Sequence, residues 1–248
     1  MAHFIGHHPC PRCGSSDAYG EYSDGSWWCF SCKLYKPAKN TLQSVTNLNV
    51  TKVTKELQGL PNDCVSDITG EPLLWLRKYH LTNENIFENN ILWSASHEML
   101  IFPYFGDGNL LCWQGRYFPQ RKPKNHTEGK PEEHLLLHYC NTVENYVNFL
   151  DSSVCVVEDT VSGIKVSSIM DSCVLWGSNL SNQKARKLSK LYDHLVLWLD
   201  GDKTADMIKF QNRYGWMFKS VRVISTECDP KEHTTEQIKE ILNAENSN

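Results

Sequence analysis

Four cysteines, Cys10, Cys13, Cys29 and Cys32, fall at the spacing C-x2-C-x15-C-x2-C. Two such knuckles can present four thiolates to one tetrahedral cation, and Zn²⁺ takes sulfur at about 2.3 Å without any fixed d-electron geometry. The stretch between them, GSSDAYGEYSDGSWW, carries the turn signal Ser23-Asp24-Gly25 between aromatic runs, as a β-hairpin joining two knuckles would. A disulfide pair would need an oxidising compartment, and the opening MAHFIGHHPC lacks the marks of a secretory signal. The expected chemistry is a structural zinc ribbon.

A second set of residues is acidic. Glu158 ends the apolar run VCVVE, Asp200 and Asp202 close LVLWLDGD, and Asp229 follows VRVIS in TECDPKE. If these runs are neighbouring parallel strands, their ends bring the carboxylates within about 5–10 Å of one another. Acids that close repel unless a cation sits among them, and oxygen ligands suit a hard divalent ion, Mg²⁺ or Mn²⁺. Gly201 would let the chain turn so that Asp200 and Asp202 reach one site. Asp202 or Thr204 could equally cap the helix that follows.

Basic residues form the third set. Between Trp113 and Pro131 lie Arg116, Arg121, Lys122, Lys124 and Lys130 against a single acid, Glu128. Such a loop suits phosphate, either of a single-stranded template or of an incoming nucleotide's triphosphate. Arg116, at a strand end, is the best candidate for a positioned, two-oxygen contact. Lys165 sits one turn into the helix after Glu158 and reads either as a surface lysine or as a site residue. On the ribbon, Trp27, Trp28, Phe30 and Tyr35 crowd the second knuckle; some must pack its small core, and an exposed one could stack unpaired bases. His7 and His8 are candidate polar contacts to DNA.

The elements that must position these groups follow from periodicity. Residues 37–58 are rich in Thr, Asn and Lys and read as a flexible linker. EPLLWLRKYH and NENIFENN read as short helices; ILWSA, MLIFPYF, NLLCWQGRYF and HLLLHYC read as strands, with a hairpin at Gly106-Asp107-Gly108 and the basic segment 120–133 as a loop. A helix is expected at 142–150. From there apolar strands alternate with helices through SVCVVED, VSGIKVSSIM, SCVLWGS, SNQKARKLSKLY, HLVLWLD, TADMIKFQNRYG, KSVRVIS and TTEQIKEILNA. That alternation implies a parallel sheet covered on both faces, with ligands beyond the carboxyl ends of the strands.

Composition narrows the classes further. At 248 residues, formal net charge −4 and pI about 6.2, no global positive field attracts nucleic acid, so any such partner must meet a local basic surface. No apolar stretch approaches the ~20 residues of a membrane span, so no membrane partner is expected. The other six cysteines, several in apolar runs such as VCVVED and SCVLW, read as small core hydrophobes in a reducing, cytoplasmic compartment.

VVEDTVSGIKV, then LWLDGDKTA, then ECDPKE resembles the TOPRIM module shared by primases, topoisomerases and some recombination proteins. The segment HHPCPRCGSSDA…YSDGSWWCFSC is similar to the zinc-binding domain of tailed-phage primases through His7, Pro9 and Gly14 to Asp17. LIFPYFGDGNLLCWQGRYF…KPKN resembles the basic subdomain that precedes TOPRIM in primases. Together these cover residues 7–35 and about 70–243, in primase order. Three departures stand out: Asp159 replaces the usual Gly after the TOPRIM Glu, Pro123-Lys124-Asn125 replaces a PKY-like motif, and no Walker motif of a fused helicase follows.

The resemblance implies an α/β chain with a zinc ribbon at 1–36, a linker at 37–58, a mixed α+β basic subdomain at 59–150 and a parallel-sheet TOPRIM catalytic subdomain at 151–248. It implies a bacteriophage-type DNA primase, a nucleotidyltransferase that makes short RNA primers on single-stranded DNA from ribonucleoside triphosphates. Glu158, Asp200, Asp202 and Asp229 would hold Mg²⁺ (or Mn²⁺), with Glu158 alternatively a general base. Arg116, Arg121, Lys122 and Lys124 would bind nucleotide and template, while Trp27, Trp28 and His7 on the zinc ribbon would read the template. A separately encoded replicative helicase is the implied partner, and the host cytoplasm the implied location. Two rival readings share the same modules: a recombination-mediator-like protein that binds DNA without catalysis, and a TOPRIM nuclease.

Overall fold

The computed structural model describes residues 3–11, 13–32, 34–36, 57, 59–140, 152–177 and 179–244. The linker expected at 37–58 (Leu57 apart) and the helix expected at 142–150 lie outside them. The chain divides into two compact units, Met1–Thr54 and Lys55–Asn248.

The first unit is an antiparallel sheet in the order β1 (Phe4–His8), β2 (Tyr19–Tyr22), β3 (Trp27–Cys29), β4 (Tyr35–Lys36). β2 and β3 form the hairpin expected between the knuckles. Its turn is closed by Asp24, whose Oδ1 accepts from the Ser26 amide at 2.9 Å and the Ser26 hydroxyl at 2.6 Å. Cys10, Tyr19 and Cys29 are its buried centre, with Trp27 and Leu34 against them.

The second unit carries two sheets. The first is antiparallel throughout, in the order β5 (Cys64–Val65), β6 (Leu92–Ser94), β7 (Met99–Gly106), β8 (Asn109–Tyr117), β9 (Asn125–Gly129). Helices α1 (Gly70–Lys78) and α2 (Asn83–Glu88) precede β6, the latter opened by a Thr82/Asn85 capping box. β7 and β8 meet in a tight turn in which Asp107 and Gly108 both have positive φ, the backbone that joins twisted strands most directly. β9 is a correction to the expected loop: Asn125–Gly129 pairs with β8 from Cys112↔Gly129 to Arg116↔Asn125. The segment NHTEG has no apolar alternation because it is a polar edge strand, which hides it from periodicity.

The second sheet has the order β10 (Leu136–His138), β12 (Ser172–Val174), β11 (Ser153–Val157), β13 (His194–Leu197), β14 (Ser220–Val223). β12, β11, β13 and β14 run parallel, and β10 pairs antiparallel with β12 at the edge. Helices α3 (Thr160–Val166), α4 (Asn182–Leu188), α5 (Thr204–Tyr214) and α6 (Thr235–Asn243) provide the alternation read from the sequence. The all-apolar run of β11 is completely buried, as a strand covered on both faces must be.

The two sheets of this unit share apolar cores. Tyr104 and Cys112 of the antiparallel sheet pack with Cys155, Val157 and Trp198 of the parallel one. Val161 and Ile164 of α3 pack with Leu76, Leu100 and Phe102. A polar seam crosses the same boundary: His138 Nε2 lies 2.5 Å from the Tyr104 hydroxyl and its Nδ1 2.8 Å from Asn89 Oδ1. Helix α3 is therefore held from both sides, and the residues at its N-terminus are fixed relative to both sheets. Cys112, Cys155 and Cys173 are buried core thiols, as expected, whereas Cys64 and Cys140 are half-buried and Cys228, on the loop after β14, is exposed.

Candidate active site and zinc ribbon

In the ribbon, the ligand atoms of Cys10, Cys13, Cys29 and Cys32 all lie within 4.8 Å of one another, and among the described residues this is the one group of three or more His, Cys, Asp or Glu so arranged. Cys10 Sγ and Cys32 Sγ are 3.7 Å apart, Cys13 Sγ and Cys29 Sγ 3.8 Å. A tetrahedron with Zn–S bonds of about 2.3 Å has edges of about 3.8 Å, so the thiolates already stand where zinc needs them. Backbone bonds from Cys10 N to Ser15 O and from Cys29 N to Leu34 O, each 2.8 Å, fold the two knuckles.

The ribbon aromatics divide between two faces. Trp27 is wedged between Tyr19 (centroids 4.9 Å) and His8 (4.8 Å) on the metal side; Trp28, the next residue of β3 and paired with Gly20, belongs to the other face and is partly buried. The other face carries His7 against Phe4 (4.8 Å) and Phe30 (6.1 Å), with Phe4 and Phe30 about half exposed. Phe4 went unread in the sequence because β1 has no alternating pattern to mark it.

In the parallel sheet, Glu158 directly follows β11, and Asp200 follows β13 by three residues; the two strands are hydrogen-bonded neighbours. Both acids line a cleft of about 200 Å³ with Trp75, Gln114, Arg116, Lys124, Asp159 and Lys231. Glu158 Oε2 and Asp200 Oδ1 are buried and have no hydrogen-bond partner among the described residues. Burial pushes the Asp200 carboxyl up to about 7; Lys231 opposes the shift, and the nearby Glu158, Asp229 and Asp159 add to it. Glu158 is also raised, again chiefly by burial. Unpaired buried carboxylate oxygens on two acids of one cleft fit a hard cation, which would supply both the missing charge and the missing ligand.

The other predicted acids lie differently. Asp202 is 72% exposed and ion-paired with Lys203 at 2.8 Å. It does not cap α5, and neither does Thr204, whose hydroxyl meets Gly201 O and Ser225 Oγ. Gly201 is needed for closeness: a Cβ there would lie 2.7 Å from the Thr226 carbonyl oxygen. Asp229 Oδ2 accepts from Lys231 Nζ at 2.6 Å.

Lys231 was missed by sequence reasoning. Its Nζ also donates to Asp159 Oδ2 at 3.0 Å, and Asp159 in turn caps α3 through Ser162. Burial would lower the Lys231 pKa, but the two carboxylates outweigh burial and hold it above its ordinary value. Lys165 is buried rather than superficial and donates to the His233 carbonyl, tying α3 to the segment that carries Asp229 and Lys231.

Of the basic residues, Arg116 and Lys124 reach the cleft. β9 is the reason: Arg116 pairs with Asn125, and Tyr117 N bonds Lys124 O at 3.2 Å, which turns Lys124 back over the site. The Arg116 guanidinium lies 4.4 Å from the Trp75 ring centroid, and burial lowers its pKa. Arg121 stacks on Tyr117 at 3.7 Å and faces Glu98, while Lys122 is exposed; neither lines the cleft. A larger cleft of about 640 Å³ runs along α5, lined by Asp206, Lys209 and Arg213 among others. The orphaned carboxylate oxygens lie in the smaller cleft, and they decide which is the candidate active site.

Comparison with known proteins agrees with this architecture. No family model matches the chain. Over 35 residues, 14% of this chain and 6% of the relative, it is 54% identical to the DNA helicase/primase of Enterobacteria phage T3, so it spans a small part of that protein. Its structure is similar to the primase fragment of the bacteriophage T7 primase-helicase protein (TM-score 0.53, 16% identity, 98% of this chain and 99% of that one). It is similar to the zinc-binding and RNA polymerase domains of the Aquifex aeolicus primase (0.51, 14%, 98% and 80%) and to the E. coli primase catalytic core (0.53, 15%, 70% and 71%). The chain thus has the fold of zinc-ribbon TOPRIM primases. Among the described residues no helix is long and apolar enough to cross a membrane.

Proposed function

We propose that this chain, with its primase fold, is a DNA primase that makes short RNA on single-stranded DNA by metal-dependent nucleotidyl transfer. One observation carries the reading. Arg116 of β8 and Lys124, the residue before β9, share one cleft with Glu158 and Asp200, each of which has a buried oxygen without a hydrogen-bond partner. Phosphate-binding and metal-binding groups converge there.

In this reading Glu158 and Asp200 hold the divalent ion, with Asp202 and Asp229 at its margin. Such an ion would lower the pKa of the attacking 3′-hydroxyl and neutralise charge on the α-phosphate and the leaving pyrophosphate. Arg116, kept in place by the Trp75 ring, takes two oxygens of the triphosphate, and Lys124 adds a point charge. Arg121 and Lys122 serve the template backbone outside the cleft. On the ribbon, the zinc-held sheet offers template bases His7 and Trp28 with the half-exposed Phe4 and Phe30 on one face, and Trp27 beside His8 on the other. A replicative helicase is the proposed partner.

The test is an incubation with single-stranded DNA, labelled ribonucleoside triphosphates and Mg²⁺. Short RNA supports the proposal; shortened DNA would identify a nuclease, and binding alone a non-catalytic mediator.

A further inference from the structure

We propose that Lys231 is a built-in cation of the acid centre: its ammonium neutralises Asp159 and Asp229 and leaves Glu158 and Asp200 as the pair that takes a single divalent ion. The inference rests on the metal-dependent reading above and deepens it by assigning the carboxylates and the number of ions.

Charge apportions the site. Five carboxylates stand around it: Glu158, Asp159, Asp200, Asp202 and Asp229. Lys203 takes Asp202 at 2.8 Å, out in solvent. Lys231 takes Asp159 at 3.0 Å and Asp229 at 2.6 Å, with its own side chain only 15% exposed. These are the lengths of charge-assisted bonds, and one ammonium has three N–H groups with which to bridge two acids. What remains without a hydrogen-bond partner is Glu158 Oε2 and Asp200 Oδ1.

Local structure makes the ammonium a fixed part of the site. Lys231 lies in a single 3₁₀ turn, Pro230–Glu232, whose N-cap is Asp229 itself. Asp159 is held as the N-cap of α3, and Lys165 of α3 anchors on the His233 carbonyl two residues beyond Lys231. The lysine and both its acids are thereby immobilised relative to one another. In a two-metal site the ions stand about 3.5–4 Å apart, and the second ion needs free carboxylate oxygens beyond those that hold the first. Here an ammonium already occupies the acids that a second ion would use, and its charge would repel one.

The test counts ions, using zinc-loaded full chain titrated with Mn²⁺ while free Mn²⁺ is followed by electron paramagnetic resonance. The wild type should take up one tight Mn²⁺. Asp200→Asn should weaken that uptake at least tenfold, whereas Asp229→Asn should change it less than threefold. Lys231→Ala, which frees Asp159 and Asp229, should bind a second ion. Two tight ions or none in the wild type would overturn the proposal, as would equal weakening by Asp200→Asn and Asp229→Asn, or a folded Lys231→Ala variant that still binds one. Should Lys231→Ala not fold, the wild-type count and the two aspartate variants decide. Absence of RNA synthesis would defeat the primase reading and leave these counts untouched, so the two failures are distinguishable.

Discussion

The thiolate cluster and the carboxylate cleft are both candidate metal centres, and they are built in opposite ways. The cysteines come from 23 consecutive residues, Cys10 to Cys32, and their sulfurs stand at tetrahedral spacing within a sheet whose buried centre includes two of them. The carboxylates come from strand ends dozens of residues apart and are mounted on a unit with large apolar cores of its own. The first site holds its fold together; the second is held by its fold. Removing metal should therefore unfold one region and only silence the other.

The largest expected effect follows from the ribbon. Structural zinc contributes on the order of 10 kcal/mol to folding so small a domain. Cys29→Ser should release the metal and collapse the dispersed amide signals of residues 3–36 in NMR spectra. The cooperative melt of the second unit should stay within about 2 °C. Ribbon signals that persist in the zinc-free variant would erase the contrast between the two centres.

Asp200→Asn should do the reverse. RNA synthesis should fall at least about 10³-fold, yet the metal-free protein should melt no lower than the wild type. The sign follows from the pKa: folded Asp200 titrates at about 7 against an ordinary 3.8. Between those values the folded state binds the extra proton, so Asp200 costs stability progressively as pH rises from about 4 to 7. An amide in its place escapes that cost, and a lower melting temperature at pH 7 would contradict it.

Arg116→Ala should raise KM for the nucleotide by about 10–100-fold, with a smaller loss of kcat, because a positioned phosphate contact is removed. An unchanged KM would detach the antiparallel sheet from the chemistry.

His138 provides a smaller effect of opposite sign to Asp200. Burial depresses its pKa to about 4, against about 6.5 when unfolded. The unfolded chain takes up a proton in that window and the folded chain does not, so stability falls as pH drops from about 6.5 to 4. His138→Gln should flatten this dependence by about 3 kcal/mol across the window, measured by urea melts in the Asp200→Asn background. Lys122→Ala should change synthesis by no more than about twofold, since the side chain is exposed and outside the cleft.

What was legible differs along the same line. The strand–helix alternation from β11 onward was readable because a buried parallel strand is an unbroken apolar run between helices. β9 was not, being polar on an edge, so the sequence left Lys124 in a loop, when it is the residue before the strand that pairs with Arg116. That β10 joins the second sheet rests on an antiparallel partner more than thirty residues away, with no local signal. The Lys231–Asp159 pair spans 72 residues and could not be seen from either end.

The amino-acid order alone determined the zinc ligands and the approximate place of each acid, because knuckle spacing and strand ends are properties of short segments. Tertiary structure alone decided that Asp202 faces water, that Lys231 sits among the acids and that Arg116 lines one cleft with Glu158. Those outcomes depend on which strands pair and how α3 is clamped between two sheets, and pairing across long separations is chosen by the burial of whole faces rather than by any local residue pattern.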